Sequence, residues 1–96
     1  MHAVIRTYSG KGARELFDLL EKRKAEVEPL MKSVKGFVSY SLVRTADGGF
    51  SVSVFKDKAG TGESIRVARD WIKANATNIS GSPPVISEGS VIVHLK

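Results

Sequence analysis

Apolar residues alternate with polar ones at both ends and in the middle of the chain, and recur every three to four positions in between. Residues 2–8, His-Ala-Val-Ile-Arg-Thr-Tyr, are rich in β-branched and aromatic types and predict a strand. Ser9-Gly10-Lys11-Gly12 breaks it. From Ala13 onward, Leu16, Leu19, Leu20, Val27, Leu30, Met31 and Val34 form a stripe of helical period. Pro29 sits inside that stripe and predicts a kink or a split, because its ring clashes with the preceding turn. Gly36 predicts the helix end. Phe37 to Thr45 and Phe50 to Lys56 read as two strands joined by Ala46-Asp47-Gly48-Gly49, a hairpin signal. A shorter helix is predicted from about Ala59 to Ala76, with Ile65, Ala68, Trp71 and Ile72 along one side. Ser80 to Pro84 reads as a loop. Val85 to Lys96 reads as extended, with its firm strand at Val91–Leu95.

The order β-α-β-β-α-β predicts an α+β chain of the ferredoxin-like type: two βαβ halves, one four-stranded antiparallel sheet, and both helices on one face. Gly10-Lys11-Gly12 and Gly60-Thr61-Gly62 fall at the same strand-to-helix junction of the two halves. No linker or low-complexity stretch intervenes, so residues 1–96 are read as a single domain.

The covered face of such a sheet must be apolar, which separates the faces by alternation. Phe50, Val52 and Val54 suit the helix side. A hairpin closed over Ala46–Gly49 pairs Val43 with Val52 and Tyr40 with Phe55, and leaves Val38, Tyr40, Leu42, Arg44, Ser51, Ser53 and Phe55 on the open face. The same parity adds Val4, Arg6, Tyr8, Ile92 and His94. That face is too apolar to meet water, and a second copy of the sheet across a two-fold axis is the economical cover. Two facing sheets would enclose a barrel with a pocket lined by Arg6, Tyr40, Arg44 and His94. Strand ends could instead carry Arg6, Arg44 and His94 into solvent.

Composition narrows the functions. Hydrophobic residues make up 42% and charged residues 26%, ordinary for a globular chain rather than a disordered one. The absence of cysteine excludes disulfides, zinc fingers, iron–sulfur clusters and thiol catalysis. No apolar run approaches the ~20 residues that span a bilayer, so no membrane association is expected. The start, Met1-His2-Ala3-Val4-Ile5-Arg6, lacks a basic segment followed by a long apolar one; no signal peptide and a cytoplasmic location are expected. A net charge of +5 would favour acidic partners only if it clustered. Here Arg14, Lys22, Arg23, Lys24, Lys32 and Lys35 are interspersed with Glu15, Asp18, Glu21, Glu26 and Glu28, the pattern of a solvated helix face with pairs such as Asp18–Lys22 and Glu28–Lys32.

Several stretches together resemble the antibiotic biosynthesis monooxygenase-like group of the dimeric α/β-barrel superfamily. They are Pro29-Leu30-Met31, Gly36-Phe37-Val38-Ser39-Tyr40-Ser41-Leu42-Val43-Arg44-Thr45, Phe55-Lys56-Asp57-Lys58-Ala59-Gly60 and Pro83-Pro84-Val85-Ile86-Ser87-Glu88-Gly89. The resemblance implies a homodimer binding a small organic ligand, with cofactor-independent oxygenation of a small aromatic compound as the leading activity. In that scheme an activated phenol is deprotonated and itself supplies electrons to oxygen. His94 or Tyr40 would be base or hydrogen-bond partner, Arg6 or Arg44 would stabilise the anion, and Phe55 would line the ligand. No cofactor is expected. A non-catalytic dimeric binding or stress-related module is the alternative, since this fold hosts many functions. The haem-degrading relatives use an Asn in the first strand, a Trp in the second helix and a His soon after it. Here the asparagines are Asn75 and Asn78, and no His follows Trp71 until His94, so haem degradation is not expected and Trp71 reads as core.

Other chemistries fare no better. Neither Gly-x-Gly matches a Walker or dinucleotide pattern, so both read as turns. His2 and His94 should be neighbours, but without a carboxylate they make a poor metal site, and no metal is expected. No Gly-x-Ser-x-Gly elbow exists. Gly49-Phe50 and Phe55 match the third strand of the RNA recognition motif, but Val52, Gly48 and Ala3 stand where stacking or basic residues belong, so no nucleic acid is expected.

Overall fold

The computed structural model describes residues 1–81 and 83–96; Ser82, inside the predicted loop, lies outside them. In chain order the elements are β1 (His2–Ser9), α1 (Ala13–Lys22), α2 (Lys24–Lys32), β2 (Phe37–Thr45), β3 (Gly48–Phe55), α3 (Lys58–Asn75) and β4 (Val85–Ser90). The strands form one antiparallel sheet in the order β2-β3-β1-β4, with the helices on one side. The ferredoxin-like arrangement is therefore present.

The long first helix is split, but not at its proline. The break falls at Arg23, whose backbone (φ −112°, ψ 25°) caps both α1 and α2. Pro29 stays inside α2. The carbonyl it deprives of a donor belongs to Ala25 on the exposed side, where solvent can serve it. The two glycine pairs also differ. Gly10 and Gly12 form a left-handed turn before α1, whereas Gly60 and Gly62 lie within α3, whose N-cap is Asp57.

The hairpin is tighter than expected. Thr45 already pairs with Gly48, so Val43 opposes Phe50, and Tyr40 opposes Ser53 rather than Phe55. A bulge between Phe37 and Ser39 brings Phe37 opposite Phe55 and takes Val38 out of the predicted set. The two phenyl rings meet edge-on at 6.0 Å.

The main correction concerns which face the helices cover. Tyr40, Leu42, Ser51, Ser53, Phe55, Val4, Arg6 and Tyr8 do share one face, but that face lies beneath the helices. Ser51 and Ser53 are 1% and 0% exposed, and Phe55 is 0%. The cause is close approach. A side chain at Gly49 would meet the Phe17 ring, and one at Gly60 would meet Phe55, so the inner row Gly49, Ser51, Ser53 stays small where helices and long neighbours crowd in. Phe50, Val52 and Val54 share the opposite face with Ala3, Ile5 and Val43. Both faces are apolar, and alternation alone cannot tell them apart.

The last strand is also displaced. β4 is Val85–Ser90, pairing Val85 with Thr7 and Ser90 with His2. The Val91 N–H still donates to the Met1 carbonyl at 3.0 Å. Residues 92–96 then leave the sheet. Ile92 and His94 therefore stand outside the ladder, although Ile92 still borders Ala3 and Ile5 of the outer face, and His94 is not a strand neighbour of His2. The helix-face ion pairs differ as well: Arg44, not Lys22, holds Asp18 (3.0 Å) and also Glu21 (3.0 Å).

Candidate functional site

Tyr8 on β1 and Phe17 on α1 meet edge-on at 5.9 Å and begin the core that Leu16, Leu20, Val27 and Met31 continue. Within this apolar layer β1 also places Arg6. It is 4% exposed, and its Nε donates to Ser51 Oγ at 3.2 Å. No carboxylate pairs with it among the described residues. A charge in that position is costly unless something compensates it.

Beside the guanidinium lies a small, partly open cavity of about 20 Å³, room for roughly one water. The sheet supplies Arg6, Tyr8, Tyr40, Leu42 and Ser51; α1 and α2 supply Leu20, Val27, Leu30 and Met31; α3 supplies Ala68, Trp71 and Ile72. A groove of about 320 Å³ adjoins it, sharing Leu20, Val27, Tyr40 and Leu42. Another, of about 300 Å³, shares Tyr8 and Ile72 and runs toward Gly12 and Pro84.

The two phenols are tuned alike. Burial raises the pKa of Tyr8, and the positive charge of Arg6 partly opposes the rise. Burial raises Tyr40 too; Arg6 opposes that shift and Tyr8 adds to it. Both are neutral hydroxyl donors at neutral pH. A phenol that ionises less readily when folded gives its full stabilisation below its ordinary value of 10.0, and loses it as pH rises beyond. Urea midpoints should thus fall between pH 9 and pH 11, and fall less in Tyr40→Phe. An identical drop in both proteins would mean that the Tyr40 phenol is not desolvated.

Trp71 closes the cavity from α3. The Arg23 guanidinium lies 5.3 Å from its ring centroid and grips Glu26 through two bonds of 2.7 Å. Those hydrogen bonds, with the Arg23 charge behind them, hold the Glu26 carboxyl below the usual carboxylate range. The helix break is thus fastened onto the roof of the cavity.

Of the residues singled out in the sequence, Arg6 and Tyr40 come together here. Phe55 is buried against Phe37 and Gly60 and does not line the cavity. Arg44, exposed at the end of β2 and engaged by Asp18 and Glu21, lines the adjoining groove with Tyr40 rather than the cavity. His94 lies beyond β4 and lines no part of the cavity, so it does not meet Tyr40. The reading missed Tyr8, Ser51 and Trp71 as cavity residues. The parity of Arg6 marks the first two, and the helical stripe marks the third. His2 does have a carboxylate, Glu88, at 3.0 Å, but no group of three metal-ligating side chains occurs among the described residues. Among them, no helix is long and apolar enough to cross a membrane.

No protein-family model and no curated protein sequence matches the chain. Solved structures do. The haem degrader MhuD of Mycobacterium tuberculosis, with two haems in its active site, superposes with a TM-score of 0.70 at 15% identity over 100% of both chains. The monooxygenase from gene ActVA-Orf6 of Streptomyces coelicolor, in complex with nanaomycin D, gives 0.61 at 18% identity, covering 99% of this chain and 89% of that one. A dimeric ferredoxin-like protein from an uncultured marine organism gives 0.64 at 17% identity, covering 98% and 94%. The structural neighbours thus include antibiotic biosynthesis monooxygenase-like proteins, and at these identities the likeness is one of fold.

Proposed function

We propose that this chain is a homodimeric, small-molecule-binding protein of the antibiotic biosynthesis monooxygenase-like type, and that it oxygenates a small aromatic compound without a cofactor. The observation that carries the reading is the buried Arg6 guanidinium, unmatched by a carboxylate and flanked by two neutral tyrosines. Such a cluster suits an acidic phenol or enol bound as its anion: Arg6 holds the charge, and Tyr8 and Tyr40 donate to oxygen. With its pKa raised, Tyr40 acts as a donor rather than as the base. The bound anion supplies all four electrons to O2, so one oxygen atom enters a substrate methylene as carbonyl and the other leaves as water. A ligand of that size enters by merging the cavity with the adjoining groove, which α1 and α2 border. The fold of the two named enzymes supports the reading.

The apolar face of Ile5, Val43, Phe50 and Val52 supports the homodimer, as does the dimeric neighbour. Sedimentation should give twice 10.4 kDa at micromolar concentration; a monodisperse monomer overturns the homodimer. For the activity, a thermal-shift screen of hydroxylated aromatics should return ligands, and an oxygen electrode should record one O2 consumed per activated anthrone. Saturable binding with no oxygen uptake would leave a binding module in place of an enzyme.

A further inference from the structure

We propose that the substrate is an aromatic carboxylic acid, whose carboxylate lodges between the start of α1 and the last turns of α3 while its phenol end reaches Arg6. The proposal rests on the ligand site described above and deepens it, by giving the substrate a second anionic group and naming what holds it.

The space beneath the helices does not end at the guanidinium. Tyr8 and Ile72 are walls of the cavity beside Arg6 and also of the pocket of about 300 Å³ near Gly12. That volume lies at the lower end of what small organic ligands occupy. Tyr8 is 9% exposed, and its hydroxyl has no hydrogen-bond partner among the described residues. A buried hydroxyl without a partner is costly, and a ligand oxygen in either space would supply one.

The pocket has apolar walls and charge of one sign. Leu16 of α1, Ile72 and Ala76 on the α3 side, and Ile79 beyond it suit the faces of a fused ring system. The charged side chains among its lining are Lys11 and Arg69. Lys11 makes no ion pair among the described residues. Arg69 approaches Asp70 at 3.9 Å, but Asp70 is held more closely by Arg66, at 3.0 Å. Arg23 and Arg44, by contrast, each grip a carboxylate, at 2.7 Å and 3.0 Å. Two uncommitted cations therefore flank an apolar floor, and the start of α1 adds to them. Gly12 caps that helix without a side chain, so the positive end of its dipole is left uncovered, and Glu15 of the first turn takes no part in the lining. Such a surround recognises a carboxylate carried on a hydrophobic body.

The spacing sets the shape of that body. Arg6 and Tyr8 stand two residues apart on one face of β1, about 7 Å, and α1 begins beyond Tyr8. The phenol and the carboxylate therefore sit at opposite ends of a fused-ring nucleus rather than on one ring.

Rhein, a dihydroxyanthraquinone carboxylic acid, and its methyl ester carry the same phenols and differ in that one charge. Calorimetry should show rhein bound about tenfold more tightly than the ester. The double variant Lys11→Gln/Arg69→Gln should bring that ratio close to one; both side chains are exposed, so the core is untouched. Lys35→Gln/Lys56→Gln removes the same charge at the other end of the sheet and should keep the ratio. Equal affinities for acid and ester in the unaltered chain, with both lost in Arg6→Met, would overturn the proposal and leave the Arg6 site standing. A preference for rhein that survives Lys11→Gln/Arg69→Gln and vanishes in Arg6→Met would place the carboxylate on Arg6 and overturn it as well. A preference lost equally in the two double variants would be an effect of net charge and would overturn it too. Failure of both probes to bind would remove the second subsite together with the reading of the cavity.

Discussion

Arg6→Met is expected to raise the stability of the fold while abolishing binding of acidic ligands. The guanidinium is 4% exposed, with one hydrogen bond of 3.2 Å and no carboxylate partner among the described residues. Methionine keeps the reach of the side chain and removes the charge. Exchanging buried ionic groups for apolar ones of similar volume is often neutral or stabilising by about 1–4 kcal/mol. For a chain of this size each kcal/mol is worth about 4–8 °C in Tm. Ser51 loses its donor but retains a hydroxyl able to rotate. Calorimetric scans would show the melting shift, and titration with the phenols found by screening would show the lost binding. A fall of more than 2 kcal/mol, with ligand affinity unchanged, would make Arg6 a packing residue and remove the charge-based reading of the site. Residues kept against the stability of their surroundings are the ones function requires.

The second large effect is expected at Gly12, with Gly62 as its control. Gly12 has φ +82°, and a Cβ there would collide with the Ser80 carbonyl oxygen. The atoms it would meet are backbone, so no flexible side chain can yield. Gly12→Ala should combine about 1–2 kcal/mol of left-handed strain with about 1–3 kcal/mol of overpacking. At Gly62 nothing lies within 4 Å, and the residue sits inside α3. Gly62→Ala should therefore stabilise by about 0.5–1 kcal/mol. Urea unfolding of both variants checks the contrast. Equal effects at the two sites would mean that the turn before α1 opens readily from residues 80 and 81.

How far the sequence could be read depended on what each pattern physically reports. Periodicity reports which side chains share a face, and it grouped Arg6, Tyr8, Tyr40, Leu42, Ser51 and Ser53 correctly. It does not report which face the helices choose. Hydrophobicity favours Phe50 and Val52 over Ser51 and Ser53, but the helices approach β3 too closely for anything larger than glycine and serine opposite Phe17 and Arg6. The candidate site thus kept Arg6 and Tyr40 and moved from between two sheets to beneath the helices. At the last strand, residue chemistry pointed to Val91–Leu95, but it is Val85–Ser90 that pairs with β1. The break at Arg23 was hidden for another reason. Proline announces itself, whereas a junction fixed by Trp71 and Glu26 depends on α3, far away in sequence.

The short side chains of Gly49, Ser51 and Ser53 mean that β3 anchors the helices through little apolar area. Much of what the sheet can bury then lies on its other side, the face of Ile5, Val43, Phe50 and Val52. For a chain that associates through that side, folding and assembly form one equilibrium, and each tenfold rise in protein concentration adds about 1.4 kcal/mol per mole of dimer. For such a chain dilution acts as a denaturant alongside heat, and the level at which it is made sets the fraction that is folded.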